Sequence, residues 1–176
     1  DDAGGEAFDK VGRMFKLPYP GGPEIEKHAR KGNPKSFAFP RAHLKGAPFN
    51  FSFSGLKTAV LYQLEKLDDP QAHLADLCAS FQDAVIDALV KKTLKAARQT
   101  GHTMITLSGG VACNRTLQEA LTLAAQNAGI KVQPTPPALT TDNAGMIALA
   151  ALLASENRPS DSLEIGIDPN LLLATP

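Results

Sequence analysis

The sequence predicts an α/β protein in which helices greatly outnumber strands. Residues 103–156 read as strand, glycine loop, helix, strand, loop and helix, which is the order of a crossover unit with a parallel strand pair. Most of the remaining chain spaces its apolar residues as helices do. Only two or three short strands can be found in 176 residues, which is typical of half of a sheet protein.

The N-terminal region is predicted to hold two helices and a long loop. The first helix covers residues 1–16, where apolar residues recur at helical spacing and the acidic residues come early. The segment LPYPGGP at 17–23 ends it, because proline and glycine dominate. A second helix begins with Pro23 near its first position and ends at Gly32. Residues 33–50 are expected to be loop or extended chain.

The middle of the chain is predicted to hold one strand and two or three helices. In FNFSFSG (49–55), phenylalanines alternate with polar residues, and a period of two favours a strand buried on one side. An amphipathic helix follows from Ser54. Residues 70–101 form one long helix or two, closed by Gly101.

The C-terminal region carries the crossover unit. TMITL (103–107) reads as a short buried strand, residues 114–129 as a helix that Gly129 stops, and IKVQP as a second strand. After a rigid proline loop, the nearly all-apolar segment 142–156 is expected to be a helix buried on several sides. The chain therefore divides into a helical and basic-loop segment (1–48), a strand plus helices (49–101), a nucleotide-binding α/β unit (102–156) and a surface tail (157–176).

Composition excludes several classes of function. The formal charges balance at 18 against 18, so any contact with nucleic acid must be local. Cys78 and Cys113 form no CxxC, which favours reduced cysteines in a cytoplasmic protein. No apolar run approaches the roughly 18 residues of a membrane span, and neither a membrane span nor a signal peptide is predicted. The first residue is Asp1 rather than Met, so a fragment or a processed chain is expected.

The segment LSGGVACNRTL (107–117) is the first candidate site. Gly109 and Gly110 follow a strand and precede a helix, where backbone N–H groups can approach an anionic ligand closely. A tight turn without a ligand explains the pair equally well. Asn114 could cap the following helix or contact the ligand.

Two carboxylates are further candidates. Asp142 could cap the last helix, or Thr140 or Thr141 could do so and leave Asp142 available as a metal ligand or phosphate-site acid. Asp9 could simply belong to a solvated helix face. The second glycine pair, Gly21 and Gly22, could serve a turn or a ligand.

A basic stretch is the last candidate. It contains no acidic residue and interleaves Phe37 and Phe39, so it could hold phosphates and stack bases, although a solvated surface is the alternative. Its cationic residues are Lys27, Arg30, Lys31, Lys35, Arg41 and Lys45. A second basic helix face carries Lys91, Lys95 and Arg98. The four histidines are scattered and form no complete metal site.

Five blocks, in this order, resemble one family: DDAGGEAFDKVGRMFKLPYPGGPEIEK, FNFSFSGLKTAV, SFQDAVIDALVKK, LSGGVACNRTL and TTDNAGMIA. They are similar to the tRNA adenosine threonylcarbamoyltransferases of the bacterial TsaD type, long known as O-sialoglycoprotein endopeptidases or glycoproteases. The resemblance implies the two-lobed fold of actin, sugar kinases and heat-shock ATPases (ASKHA). It covers only the second half of such a protein. The N-terminal lobe with its HxxxH metal motif is absent from these residues.

The resemblance implies transfer of a threonylcarbamoyl group from threonylcarbamoyl-AMP to the N6 amine of an anticodon-loop adenosine in tRNA. By the same resemblance, a set of matching positions binds the ATP- or AMP-type nucleotide, and Asp142 is one ligand of a divalent metal ion, iron or zinc. The matching positions are Asp9, Gly22, Glu26, Gly109, Gly110 and Asn114. Gly4 and Gly145 stand where the family usually has alanine, a small departure.

The resemblance also implies partners: tRNA, a pseudo-enzyme paralogue and a small ATPase of the bacterial modification complex. The isolated chain is expected to be inactive, because its metal site is incomplete, and a homodimer of the fragment is a further expectation. Three alternatives stay open. They are another ASKHA-fold carbamoyltransferase or kinase, a non-catalytic nucleotide-binding scaffold and, last, a metalloprotease, for which no complete residue set is present.

Overall fold

The computed structural model describes residues 3–41, 46–155 and 166. The helices are α1 (Gly4–Met14), α2 (Gly21–Ala29), α3 (Ser54–Glu65), α4 (Leu74–Thr100), α5 (Arg115–Gln126) and α6 (Ala144–Ser155). The strands are β1 (Met104–Leu107) and β2 (Lys131–Pro134). Short 3-10 turns span Gly110–Cys113 and Pro137–Leu139. The chain divides into two units, Asp1–Thr141 and Asp142–Pro176.

The N-terminal helices pack on α4 through one apolar core. The buried stripe of α1 includes Phe8 and Val11, and the Phe8 ring meets the Phe81 ring of α4 edge to face at 5.3 Å between centroids. Helices α1 and α2 touch backbone to backbone, since a Cβ on Gly12 would lie 2.8 Å from the Gly21 Cα atom. These contacts fix the start of α2 against the middle of α1.

The predicted crossover unit is confirmed. Strands β1 and β2 run parallel, with Met104 opposite Lys131 and Leu107 opposite Pro134, and α5 connects them. A second apolar cluster joins this unit to the end of α4: Leu94, Ala97, Ile105, Leu121, Ala125 and Ile130. Helix α4 is a single helix, closed by Gly101 in the left-handed region at φ 71°. The unit therefore carries its loop, Gly109–Asn114, at the carboxyl end of β1.

The strand predicted at 49–55 is wrong. This segment is irregular, and α3 already begins at Ser54. A strand needs a partner for its backbone hydrogen bonds, and in the described ranges only β1 and β2 pair. Phe53 is buried, whereas Phe49 and Phe51 are each 39% exposed, and the rings of Phe51 and Phe53 stack. Of the three alternating phenylalanines, only Phe53 therefore belongs to the core.

The expectation that the last helix is buried is also wrong. Helix α6 forms where the sequence predicts it, but it contains no buried residue. Its five large apolar side chains are 45–62% exposed: Met146, Ile147, Leu149, Leu152 and Leu153. Its composition shows that it is apolar, but burial also needs a partner surface. No helix among the described residues is both long and apolar enough to cross a membrane.

Candidate functional site

A cavity of about 690 Å³ lies between α1, α2 and the turn that precedes α5. Its volume falls within the range of small-molecule sites. The described residues that line it are Gly5, Phe8, Asp9, Tyr19, Pro20, Gly22, Pro23, Glu26, Gly110, Val111, Cys113, Asn114 and Thr141. Five positions proposed from the sequence thus meet here, although they come from three separate stretches of the chain. Gly109 is not among the lining residues, and Asp142 belongs to the other unit.

The start of α2 leaves one backbone donor for this cavity. The Gly21 N–H donates to Asp9 Oδ1 at 2.8 Å, so a side chain of α1 caps α2. Pro20 and Pro23 have no N–H to offer. Among the first helical positions, this leaves the N–H of Gly22, which lines the cavity. The helix begins two residues before the predicted Pro23, because the distant Asp9 supplies the cap.

The start of α5 is held by two further side chains of the cavity. Glu26 Oε1 accepts the Arg115 N–H at 3.0 Å, and Asn114 Oδ1 accepts the Leu117 N–H at 2.9 Å. Asn114 is therefore the predicted cap of α5, and it also lines the cavity. Its Nδ2 donates to Gln82 Oε1 at 2.8 Å, and both side chains are buried. The buried amide pair fixes which face of Asn114 meets each partner.

The cavity keeps two carboxylate oxygens for a ligand. Asp9 and Glu26 each use one oxygen on a helix start, and in the described part of the chain no hydrogen bond reaches Asp9 Oδ2 or Glu26 Oε2. No Lys, Arg or His appears among the described lining residues. Arg30 reaches Glu26 only at 3.8 Å. The negative charge of the two carboxylates favours ligand groups that donate hydrogen bonds, such as hydroxyl and amine groups, over phosphate.

The two glycines of the pair have different surroundings. Gly109 has φ 87°, in the left-handed region, and its N–H donates to the Thr140 carbonyl oxygen at 3.0 Å. It turns the chain after β1. Gly110 begins the 3-10 turn and lines the cavity. A Cβ at Gly110 would meet nothing within 4 Å, so the backbone here is open to a ligand.

Asp142 does not cap α6. Asn143 does, because its Oδ1 accepts the Met146 N–H at 2.9 Å, and Asp142 is an exposed residue just before it. The described residues contain no group of three His, Cys, Asp or Glu side chains that could hold a metal ion. His43 lies outside them. The residues present therefore do not fit a complete metal site, and Asp142 offers one ligand at most.

The basic stretch is largely neutralised by nearby carboxylates. Lys35 Nζ lies 3.0 Å from Asp83 Oδ2, and Arg41 binds the same carboxylate. Lys27 pairs with Glu24, and Lys91 of the second basic face pairs with Asp87. The Phe37 and Phe39 rings stack on each other and pack at the core. This favours a structural role for the stretch over phosphate binding. Lys45 lies outside the described residues.

Sequence reasoning missed three lining or supporting residues. Tyr19 lines the cavity and is 84% exposed; its place between two prolines was the available signal. Gln82 supports Asn114, and a polar residue inside the apolar pattern of α4 could have shown it. Cys113 lines the cavity, whereas burial raises the pKa of the Cys78 thiol to about 12. Both cysteines are free, as predicted.

Fold and cavity together define a helix-rich α/β protein with a cavity of about 690 Å³ between two helix starts. Comparison with known families narrows this class. Residues 1–149 match the family model described as TsaD, tRNA N6-adenosine threonylcarbamoyltransferase. The chain belongs to this family, which has an ASKHA-like fold.

Named relatives agree with the family match. The chain is 48% identical over 174 residues to the tRNA N6-adenosine threonylcarbamoyltransferase of Symbiobacterium thermophilum, covering 97% of this chain and 50% of the relative. It is 51% identical over 150 residues to the Geobacter sulfurreducens enzyme of the same name, covering 85% of this chain and 44% of the relative. The chain thus spans about half the length of the curated relatives it matches.

Proposed function

We propose that the cavity binds the nucleoside part of an adenylate, in a protein that transfers a threonylcarbamoyl group from threonylcarbamoyl-AMP to the N6 amine of a tRNA adenosine. One observation carries the proposal. Asp9, Glu26 and Gly22 line one cavity of about 690 Å³, and each carboxylate uses only one of its oxygens to hold a helix start. Membership of the family supports the reaction.

The residues of the cavity suit a ribose and a base. Carboxylates accept hydrogen bonds from ribose hydroxyls in many nucleotide sites, and Asp9 Oδ2 and Glu26 Oε2 are available for this. The Gly22 N–H donates to an acceptor on the ligand. Phe8 and Val111 supply apolar wall for the base. Because the carboxylates already hold helix starts, they are preorganised before the ligand arrives.

The reaction needs positioning more than activation, because the mixed anhydride of a carbamate and AMP is already reactive. The adenosine N6 attacks the carbamoyl carbon, the bond from that carbon to the phosphate oxygen breaks, AMP leaves, and N6 loses a proton. Holding the AMP moiety in the cavity fixes the carbonyl for attack.

Several finer expectations accompany this proposal. The partners would be tRNA, a pseudo-enzyme paralogue and a small ATPase, and the cell compartment would be the cytoplasm, where tRNA is modified. A divalent iron or zinc ion would use Asp142 together with ligands outside the described residues. Co-purification from cells and metal analysis of the full-length protein would test these expectations.

The cavity disfavours one alternative and leaves another to experiment. A kinase must stabilise transferring phosphates, and the described lining residues contain two carboxylates and no cation. A non-catalytic scaffold could use the same cavity. Formation of threonylcarbamoyladenosine by the full-length protein separates the scaffold from the transferase.

The test compares isosteric variants in nucleoside binding. Asp9→Asn and Glu26→Gln keep an oxygen that can accept the Gly21 or Arg115 N–H, but they place an amide where the ligand finds a carboxylate. Glu65→Gln is the matched control, because Glu65 is exposed and outside the cavity.

Calorimetric titration of the full-length protein with AMP should show losses of about tenfold or more for Asp9→Asn and Glu26→Gln, since a charged hydrogen bond is replaced. The control should bind AMP normally. AMP lacking its ribose hydroxyls should bind the wild type weakly and discriminate less between the variants. Equal AMP affinity in all four proteins would contradict the proposal.

A further inference from the structure

One groove adjoins the nucleoside cavity, and a second groove adjoins the first along α1. A groove of about 330 Å³ shares Asp9 and Tyr19 with the cavity. A groove of about 440 Å³ lies between α1 and α3 and shares Lys10 and Arg13 with the smaller groove. The three spaces thus follow one another through shared residues, and together they form what we call the α1 track.

Tyr19 stands at the junction of the cavity and the first groove. Its side chain is 84% exposed, the largest exposed fraction among the large apolar and aromatic residues of the described chain. A phenol ring left in solvent beside a nucleoside cavity contributes little to the core. Every nucleobase has a flat face that can stack on such a ring.

The far end of the α1 track is cationic. The titratable residues described as lining the 440 Å³ groove are Lys10, Arg13 and Lys57, all of them basic. Lys10 Nζ lies 2.7 Å from Glu6 Oε1, and Asp9 is engaged by the Gly21 N–H. Arg13 is exposed and forms no ion pair within the described ranges. In the basic stretch, Lys35 and Arg41 both pair with Asp83.

We propose that the α1 track binds single-stranded RNA, with Tyr19 stacking a base and Arg13, Lys10 and Lys57 contacting phosphates, so that the strand leads into the nucleoside cavity. A row of cations beside an exposed aromatic is how proteins hold single strands. The proposal rests on the proposed function for its choice of an RNA substrate. It places RNA on α1 and α3, away from the basic stretch at 27–45.

The test measures binding of a fluorescein-labelled RNA hairpin with a single-stranded, adenosine-containing loop by anisotropy. A fully paired RNA duplex of the same stem sequence is the control ligand. Each titration with the full-length protein is repeated over a series of KCl concentrations. The variants are Tyr19→Ala, Tyr19→Phe and Arg13→Ala. Their matched controls are Tyr62→Ala, a half-exposed tyrosine on α3, and Lys31→Ala, an exposed lysine of the basic stretch.

Tyr19→Ala should weaken binding of the loop hairpin about tenfold, Tyr19→Phe should restore it, and Tyr62→Ala should leave it unchanged. Arg13→Ala should lower the slope of log affinity against log salt by about 0.7, the value for one phosphate contact on a single strand. A loss equal for hairpin and duplex, or a salt slope that responds to Lys31→Ala and not to Arg13→Ala, would overturn the proposal.

A parallel titration with AMP separates this proposal from the proposed function. If the wild-type protein binds AMP, but the Tyr19 and Arg13 variants bind RNA as tightly as the wild type does, RNA binding on the α1 track is refuted and the nucleoside cavity stands. If AMP fails to bind while RNA binding depends on Tyr19 and Arg13, the proposed function fails and the α1 track stands. If the hairpin does not bind at all, the α1 track is refuted.

Discussion

The buried amide pair of Gln82 and Asn114 allows a quantitative prediction. Gln82→Leu removes the acceptor of Asn114 Nδ2, which lies 2.8 Å from Gln82 Oε1. Asn114 is 8% exposed, so its amide N–H loses a partner that water replaces poorly. An unsatisfied buried donor costs about 1–3 kcal/mol. We therefore expect Gln82→Leu to lower the free energy of unfolding by an amount in that range.

Asn114→Ala should cost more, because two interactions disappear. It removes the cap on the Leu117 N–H, about 1 kcal/mol, and it leaves Gln82 Oε1 without its donor, about 1–3 kcal/mol. The single variant should therefore lose about 2–4 kcal/mol. In the double variant neither amide is orphaned, so its loss should fall short of the sum of the two single losses by at least about 1 kcal/mol.

Urea unfolding followed by circular dichroism measures all four proteins of this cycle. Equal denaturant slopes are the control that the unfolded states are comparable. Additive losses, within about 0.5 kcal/mol, would refute the coupling and show that the two amides act independently.

Three further predictions follow from local geometry. Gly21→Ala should lower the free energy of unfolding, measured in urea, by about 1–3 kcal/mol, because the new Cβ would lie 2.6 Å from the Phe8 carbonyl oxygen. Gly22→Ala should keep wild-type stability, because its Cβ would have its nearest neighbour 3.9 Å away. Equal losses in the two variants would contradict this. Hydrogen bonds from the Asn33 N–H and Ser36 Oγ lower the pKa of Asp76, so its stabilisation is present above about pH 4 and is lost as the pH falls through the folded value. The stability gap between wild type and Asp76→Asn should therefore shrink in acid, and a gap independent of pH would refute it. Leu149→Gln with Leu152→Gln should reduce binding of a hydrophobic dye without loss of helical signal, because both leucines are more than half exposed; undiminished dye binding would contradict the exposure.

Structural features that depend on the local order of apolar, polar and glycine residues could be predicted from the sequence. The end of α4 at Gly101 and the cap at Asn114 depend on residues within a few positions of one another. The parallel pair β1 and β2 follows from the order strand, helix, strand along the chain. The sequence pattern leaves open whether residues 70–101 form one helix or two. The site residues Asp9, Glu26 and Gly22 were reachable only through resemblance to the family. Their spacing along the chain gives no local reason for them to meet.

The wrong predictions share one physical cause: each structure depends on contacts with residues that are distant in sequence. The alternating segment 49–55 would form a strand only if another strand paired with it. In the described chain, β1 and β2 pair only with each other. The start of α2 depends on Asp9, twelve residues earlier. The burial of α6 depends on which surface covers it, and the composition of the helix does not identify that surface. Periodicity shows which face of an element is apolar, but it does not show what that face meets.

Three side chains both line the cavity and hold a helix start, and this affects how the site would change during evolution. Asp9, Glu26 and Asn114 each hold a helix start, so selection for folding alone is enough to keep them in a lineage that has lost the proposed nucleoside binding. Tyr19 is in solvent, and a methyl group at Gly22 would meet no clash. Neither position is fixed by folding. Among related chains, the identity of these two residues, rather than that of the carboxylates, should therefore show whether the proposed nucleoside binding is retained.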